Sequence, residues 1–302
     1  MADLPGRDLD RALGFTIPEF NARGRVLRLG PVMDEILSAH AYPPAIEGLL
    51  AEALVIAALI GSTLKDDAGQ LTLQAQTRNG VVRLLVVDYR DGELRGYVDY
   101  DAERLAEGPA EPTLFALFGQ GYLAITFDLA TTGERYQGIV PLDGASLAEV
   151  AEQYFIQSEQ IPSLLRVGVR RRDGQIVGGG LFLQHLPPGE VGRERLHVSH
   201  DHPEWEHVAT LGATMGVDEL VDVAVPLETL IWRLFNEARE VRVLGDTRLT
   251  RGCRCNPEHI RSVISKFPPE EQREMADANG VISVDCNFCS TVFPVRIETS
   301  AA

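Results

Sequence analysis

At 302 residues, 45% hydrophobic and 24% charged, the chain has an ordinary globular composition and room for one large domain plus a small one. Its net charge of -16 argues against a general nucleic-acid binder, which needs a basic footprint to displace phosphate counterions, and against docking on anionic membranes. The polar start MADLPGRDLD is unlike a signal peptide, and the apolar run ALVIAALIG is far shorter than the ~20 residues a bilayer needs, so a soluble, cytoplasmic protein is expected.

The first half reads as α+β. MDEILSAH and AIEGLLAEALVIAALIGSTLK have helical periods, and the second is apolar on most sides, which predicts a helix buried against a sheet. LTLQAQTRNGVVRLLVVDYRDGELRGYVDY then holds three strand-like segments separated by Asn79-Gly80 and Asp91-Gly92. Such pairs tolerate positive φ, so the pattern predicts an antiparallel meander. YLAITFDL and RYQGIVPL form a further hairpin around Thr132-Gly133. SLAEVAEQYFIQSEQ opens on Ser146 and Glu149, a capping box at a helix start. A last hairpin, LLRVGVRRRDGQIVGGGLFLQHL, turns at Asp173-Gly174. Its Gly178-Gly179-Gly180 tract lacks the Lys-Ser/Thr of a phosphate loop and points to a bulge or close packing.

From Pro187 the texture changes. PPGEVGRERLHVSHDHPEWEH is polar and predicts a loop. Its His197, His200, His202 and His207 show no regular helical pair spacing, which favours a solvated linker over a second metal site. LETLIWRLFNEAREVRV predicts a helix with Leu227, Leu230, Ile231, Leu234 and Phe235 on one face and Pro226 suited to its first turn. That stripe either docks a plain connector or covers a surface needed later, and the pattern alone does not choose.

All four cysteines lie near the end of the chain: Cys253 and Cys255 as C-x-C in GCRCNPEHI, then, after thirty residues, Cys286 and Cys289 as C-x-x-C in DCNFCS. Between them Asn256 and Pro257 suit a helix start, with Ile260, Val263, Ile264 and Phe267 on one apolar face. Pro268-Pro269 breaks that helix, PEEQREMADAN starts another, and Gly280 is expected to end it. VISVDCNFCSTVFPV reads as strand, tight turn, strand, so CNFC lacks the following helix that a thioredoxin-like thiol needs.

A unit of about fifty residues with so few large apolar side chains needs a staple such as a metal. Four thiolates at ~2.3 Å fill the tetrahedral shell of zinc and leave no position for an activated water. Zinc also holds the sulfurs as thiolates, the form oxidants attack, and each pair is close enough in sequence to close a local disulfide. Arg251 and Arg254 stand beside the first pair, where they could offset the negative charge of the centre. Spacing leaves both an inert structural zinc and a redox-active one open.

With these cysteines, and with QSEQIPS (157–163), GGGLFLQHLP (178–187) and WRLFNEAREVRV (232–243), the chain resembles the heat shock protein 33 family of redox-regulated holdase chaperones along its length. Asn256 stands where that family often has Ser or Thr. The resemblance implies an α+β fold in three parts: an N-terminal client-binding domain of antiparallel sheet and helices (1–190), a helical metastable linker (191–250), and a small C-terminal four-cysteine zinc domain acting as redox switch (251–302). It implies one Zn2+ per chain on Cys253, Cys255, Cys286 and Cys289 in a reduced, inactive state. Oxidation would then close Cys253–Cys255 and Cys286–Cys289, release the zinc and uncover apolar surface beneath the Leu227, Leu230, Ile231, Leu234 and Phe235 face. Implied partners are unfolded or oxidatively damaged client proteins, ATP-dependent foldase chaperones for hand-off, and a second copy in an oxidised homodimer; no enzymatic activity is implied. The alternatives are a zinc-ribbon regulatory or binding protein, against which the lack of a basic stripe in 251–302 weighs, and a thiol-disulfide oxidoreductase.

Overall fold

The computed structural model describes residues 9–64, 68–172, 174–186 and 202–296. The chain forms two compact units, Met1–Arg251 and Gly252–Ala302. The first begins with β1 (Arg11–Ile17), β2 (Ala22–Leu29), α1 (Pro31–Leu37) and α2 (Pro44–Gly61). A meander of β3 (Gln70–Thr77), β4 (Val82–Arg90) and β5 (Glu93–Tyr100) leads through α3 (Ala102–Glu107) and α4 (Leu114–Phe118) to β6 (Gly121–Asp128) and β7 (Arg135–Pro141). Then come α5 (Leu147–Tyr154), β8 (Ser163–Arg172), β9 (Gln175–His185), α6 (Pro203–Ala213), α7 (Val217–Leu220) and α8 (Leu227–Phe235). The unit closes with β10 (Arg242–Arg248) and β11 (Thr250–Arg251).

These strands make two sheets, one of five strands in the order β10-β1-β2-β9-β8 and one of six in the order β11-β5-β4-β3-β6-β7. Pairing is antiparallel throughout, except that β11 runs parallel to β5. Helix α2 lies between the sheets, packing on β3, β4 and β5 of one and on β2, β8 and β9 of the other. That position explains its composition. A helix with sheets on two sides has no face left for polar side chains, and Leu50, Leu54, Val55, Ile56 and Leu59 are all fully buried. Each such side chain contributes roughly 1.5–3 kcal/mol by leaving water. Its length and apolar character would suit a membrane span, but here it is core. Glu52 is turned to use, accepting the Ala148 N–H at 3.0 Å and so capping α5 from another element.

Local turn chemistry follows the sequence where it was strongest. Asp91 and Gly92 both have positive φ (48° and 78°) between paired Arg90 and Glu93, the two-residue turn whose twist matches a hairpin. Gly92 also lets the Arg248 carbonyl approach to a distance a Cβ would forbid. Gly80, by contrast, has no positive φ and sits in a longer connection. Ser146 Oγ accepts the Glu149 N–H at 3.2 Å, while Glu149 reaches back to the Ala145 N–H, one residue before the expected partner. The tract Gly178–Gly180 shows no bulge and is paired without interruption to β2 and β8. Close packing is its purpose: a Cβ on Gly178 would meet Met33 and Val55, and one on Gly180 would meet Leu59 and Val55.

The five-stranded sheet is buried on both faces, so β9 is buried almost without alternation. Beyond α2, its other face is covered by α6, α7 and α8, with Leu13, Phe15, Val26, Leu181 and Leu183 below and Trp205, Leu220, Leu227, Leu230 and Phe235 above. Two expectations are corrected here. The polar stretch expected as a loop is already helical from Pro203, because Pro at the first position is pre-set for a helix and Trp205 and Val208 supply a buried face. The helix expected to run to Val243 stops at Phe235, and Arg242–Arg248 is instead strand β10, paired to β1. The helical reading of the 191–250 linker thus fails at its end: the strand adopts the open edge of β1, with ladder bonds replacing the helical ones. Residues 187–201, with His197 and His200, lie outside the described residues.

Because α2 is shared by both sheets, a cavity in it should weaken them together. Leu54→Ala removes a fully buried side chain and should cost ~2–5 kcal/mol. Native-state hydrogen exchange is expected to show equal loss of protection in β3–β4 and β2–β9; loss confined to one sheet would show that α2 belongs to that sheet alone.

Candidate metal centre

The second unit contains α9 (Pro257–Ile264), α10 (Pro269–Met275), β12 (Val281–Asp285) and β13 (Val292–Arg296). Asn256 caps α9, its Oδ1 accepting from the N–H groups of Glu258 (2.9 Å) and His259 (3.1 Å). Helix α10 ends at Met275, before the expected stop. Gly280, with φ of 71°, instead serves a turn in which Asp277 Oδ1 accepts from Asn279 and Val281 N–H groups. The antiparallel pair β12–β13 carries the second cysteine pair in its connecting turn. There the Ser290 N–H donates to the Cys286 carbonyl at 2.8 Å and the Cys286 N–H to Thr291 at 3.0 Å, with Ser290 left-handed at φ 56°. The first pair lies on the irregular stretch just before Asn256, so sulfurs come from one loop and one hairpin tip.

The apolar core of this unit is slight. Ile264, Ile282 and Val295 are its buried residues, with Ile260, Ala276 and Val284 against them. Val263 and Phe267, expected on the same buried face, are 38% and 39% exposed. Three buried side chains at roughly 1.5–3 kcal/mol each fall well short of the conformational entropy of ordering some forty residues at ~1–2 kcal/mol apiece. Another source of cohesion is required, and the thiols supply its ligands.

The four Sγ atoms lie within 4.8 Å of one another. Cys255 is central: its sulfur is 2.9 Å from Cys253, 3.2 Å from Cys286 and 3.3 Å from Cys289, while Cys253 and Cys286 are 3.7 Å apart. Tetrahedral coordination at ~2.3 Å has edges of about 3.8 Å, so a small expansion of this cluster accommodates one ion. All four are free thiols and half-buried, on a donor set of soft sulfur that selects zinc or another thiophilic metal over magnesium or calcium. Among the described residues they are the one group of three or more His, Cys, Asp and Glu side chains close enough to share a metal.

Burial pushes the Cys253 and Cys255 thiols up, and in Cys255 the neighbouring thiols push the same way. Burial also opposes ionisation of Cys289, but hydrogen bonds with the Thr291 side chain and backbone, Cys255 and Cys253 outweigh it and bring that thiol down to about 6. Thr291 Oγ1 stands 3.2 Å from the Cys289 sulfur. Metal binding needs thiolates, so uptake of a cation by the first pair is coupled to loss of its protons. Arg251, expected to balance the charge of the centre, pairs instead with Glu35 of α1 at 3.2 Å. Of the histidine-rich stretch, the described His202 and His207 are not part of this cluster. The His207 ring lies tilted against Phe20 with centroids 5.0 Å apart, and His202 lies by His185 at 5.1 Å with its Nδ1 3.8 Å from Glu204.

The linker stripe is placed by the first unit. Leu227, Leu230 and Phe235 are fully buried, Ile231 nearly so, and Leu234 is half-buried at the margin of the same cluster. Phe235 meets Phe15 of β1 with ring centroids 5.9 Å apart. What sequence reasoning missed is Arg28, fully buried beneath this cover. The only cue was its position in ARGRVLRL, where it breaks the alternation that Arg23 and Arg25 begin.

Comparison with known proteins agrees with the whole arrangement. A family model described as "Hsp33 protein" matches residues 10–296. The chain is 41% identical over 292 residues to the 33 kDa chaperonin of Caulobacter vibrioides, covering 94% of each, and 35% identical over 277 residues to that of Ectopseudomonas mendocina, covering 91% of this chain and 88% of the relative. The crystal structure of the 33 kDa chaperonin from Thermotoga maritima shares the fold, with a TM-score of 0.76 over 95% of both chains at 23% identity. A match that runs through both units, with four cysteines gathered in the second, leaves one assignment: the chain belongs to the Hsp33 family of redox-regulated, zinc-dependent holdase chaperones, which are not enzymes.

Proposed function

We propose that this chaperone acts in the cytoplasm as a switch whose off state is the four-thiolate zinc centre and whose on state exposes the sheet face beneath α6, α7 and α8. The observation that carries the reading is the pairing of a small unit, with a four-thiol cluster and little core, with a covered apolar face elsewhere on the same chain. Cys253, Cys255, Cys286 and Cys289 hold one zinc ion per reduced chain. A peroxide-class oxidant takes two electrons from each cysteine pair; two S–S bonds form, Cys253–Cys255 and Cys286–Cys289, and the oxidant leaves as water. With its ligands gone the second unit loses more stabilisation than its three-residue core can replace. The cover helices then leave the sheet, and Leu13, Phe15, Val26, Leu181 and Leu183 become available to unfolded or oxidatively damaged clients. A homodimer in the oxidised state and hand-off of clients to ATP-dependent foldases complete the cycle. The acidic surface supports the reading, since a net charge of -16 keeps a protein with exposed apolar surface soluble. It also disfavours nucleic acid and membrane surfaces as partners.

Three outcomes are expected. Reduced protein should contain one equivalent of zinc, and a chromogenic chelator should register its release as thiols are consumed; zinc retained after all four thiols have reacted would reject the switch. Peptide mapping of the oxidised, non-reduced protein should find two intrapeptide bridges, whereas a dominant Cys255–Cys286 bridge would reject the pairing. Finally, Leu230→Ala with Phe235→Ala removes two fully buried anchors of the cover at ~2–5 kcal/mol each. Leu234, half-buried, is the weaker choice. The reduced, zinc-loaded double variant should suppress light scattering by an aggregating client where the parent does not. If it stays inactive although α8 exchanges freely, the cover is not what holds activity off.

A further inference from the structure

The glycine tract and Arg28 meet in one row across the five-stranded sheet: Gly168 of β8 pairs with Gly179 of β9, and Gly179 pairs with Arg28 of β2. On the covered face this row forms a floor without side chains beside a buried guanidinium. The turn of chain around α7 sits on it. A Cβ at Gly168 would lie under 3.0 Å from Val217, and one at Gly179 under 3.0 Å from the Leu220 carbonyl. Arg28 Nε donates to the Leu220 carbonyl at 2.7 Å, Nη2 donates to the Glu219 carbonyl at 3.2 Å, and Nη1 donates to the Val225 carbonyl. Over Gly168 the nearest part of α7 is the Val217 side chain, with its main chain just behind, while Gly179 and Arg28 meet main-chain carbonyls. The Glu219 carboxylate is turned away, to Arg233 at 3.1 Å.

We propose that this cradle is a main-chain reader: once α7 lifts, Gly168, Gly179 and Arg28 form a subsite that takes the backbone carbonyls of an unfolded polypeptide in place of those of residues 219–225. The inference rests on the proposed opening of the cover and names the chemistry by which the opened face recognises clients. A glycine floor admits any backbone that comes close, and an arginine fork directed at carbonyls is indifferent to side chains. The apolar residues around it add area but little selectivity. A holdase must accept many sequences, and a site built this way does so without adapting its shape. On opening, water would take over from the three carbonyls now bonded to Arg28, and a bound backbone would restore carbonyl partners to the guanidinium.

The test uses full-length oxidised protein and a permanently unfolded probe, a reduced and carboxymethylated globular protein, with Kd read by fluorescence anisotropy. Arg28→Gln should raise Kd by ~10-fold or more, since a neutral amide loses the charge-assisted fork that the guanidinium directs at carbonyls. Gly179→Ala should do likewise by filling the floor. Exchange protection in β2 and β9 checks that the sheet is intact. A third arm needs no variant. A peptide copying residues 214–227 and a scrambled peptide of the same composition should displace the probe from the parent protein within about threefold of each other, because the contacts read backbone rather than side chains. Unchanged Kd in both variants with the sheet intact, or displacement by the native order alone, overturns the main-chain reader. Failure of the oxidised parent to bind the probe at all would instead overturn the proposed opening.

Discussion

The structure depends on one buried helix. Helix α2 is enclosed by both sheets, packing on β2, β8 and β9 of one and on β3, β4 and β5 of the other, with α1 and α5 against it. The five-stranded sheet gains one dry face from α2, which frees the opposite face for a different use. There the apolar residues of β1, β2 and β9 are covered by α6, α7 and α8 rather than by core. A sheet with one permanent and one removable cover can keep its fold while changing its surface. The stability of the scaffold and the availability of the face are held by separate contacts.

The second unit shows the opposite economy. Its elements are short, its buried residues few, and its ligands come from two distant stretches of sequence joined by one constellation of sulfur. A metal held by these sulfurs would add cohesion in a form that chemistry can remove. Between Cys253 and the α8 helix stand β10 and β11, one paired to each sheet of the first unit. The Leu249 N–H donates to the Asp10 carbonyl and the Thr250 N–H to Gly92, so this stretch is fastened at both sheets. Under the proposed switch, any influence of the cysteines on the cover would work through or around that fastening.

Much of this was legible in the sequence where one local signal dominates. Asp91-Gly92, Ser146 with its acidic partner and Asn256-Pro257 each encode a structure within a few residues, and each folds close to expectation. The two cysteine pairs, thirty residues apart, were legible by ligand chemistry instead, and they do come together. The α8 stripe was legible as a face, though not what it faces. Strand β10 was hidden because RVLGDTR is almost wholly exposed and lacks alternation; only the ladder to β1 makes it a strand. The turn expected from Gly280 was right in conformation and wrong in role. Arg28 was least legible of all. An arginine among arginines in a strand reads as solvated, and its burial depends on carbonyls 191 to 197 residues further along the chain.

The fastening of β10 has a kinetic consequence. The cover leaves β9 at His185 and returns to the same sheet at Arg242, so it is a loop held at both ends rather than a free tail. If the cover lifts as proposed, its local concentration over the sheet would stay on the order of millimolar, the regime of tethered ligands. A polypeptide bound there would compete at every moment with an intramolecular rival that never diffuses away. Under that proposal weak or refolded chains would be displaced first, because they hold too few contacts to match that rival. Persistently unfolded ones, engaging more of the face, would remain. The tether would then turn a permissive surface into a filter for the degree of unfolding.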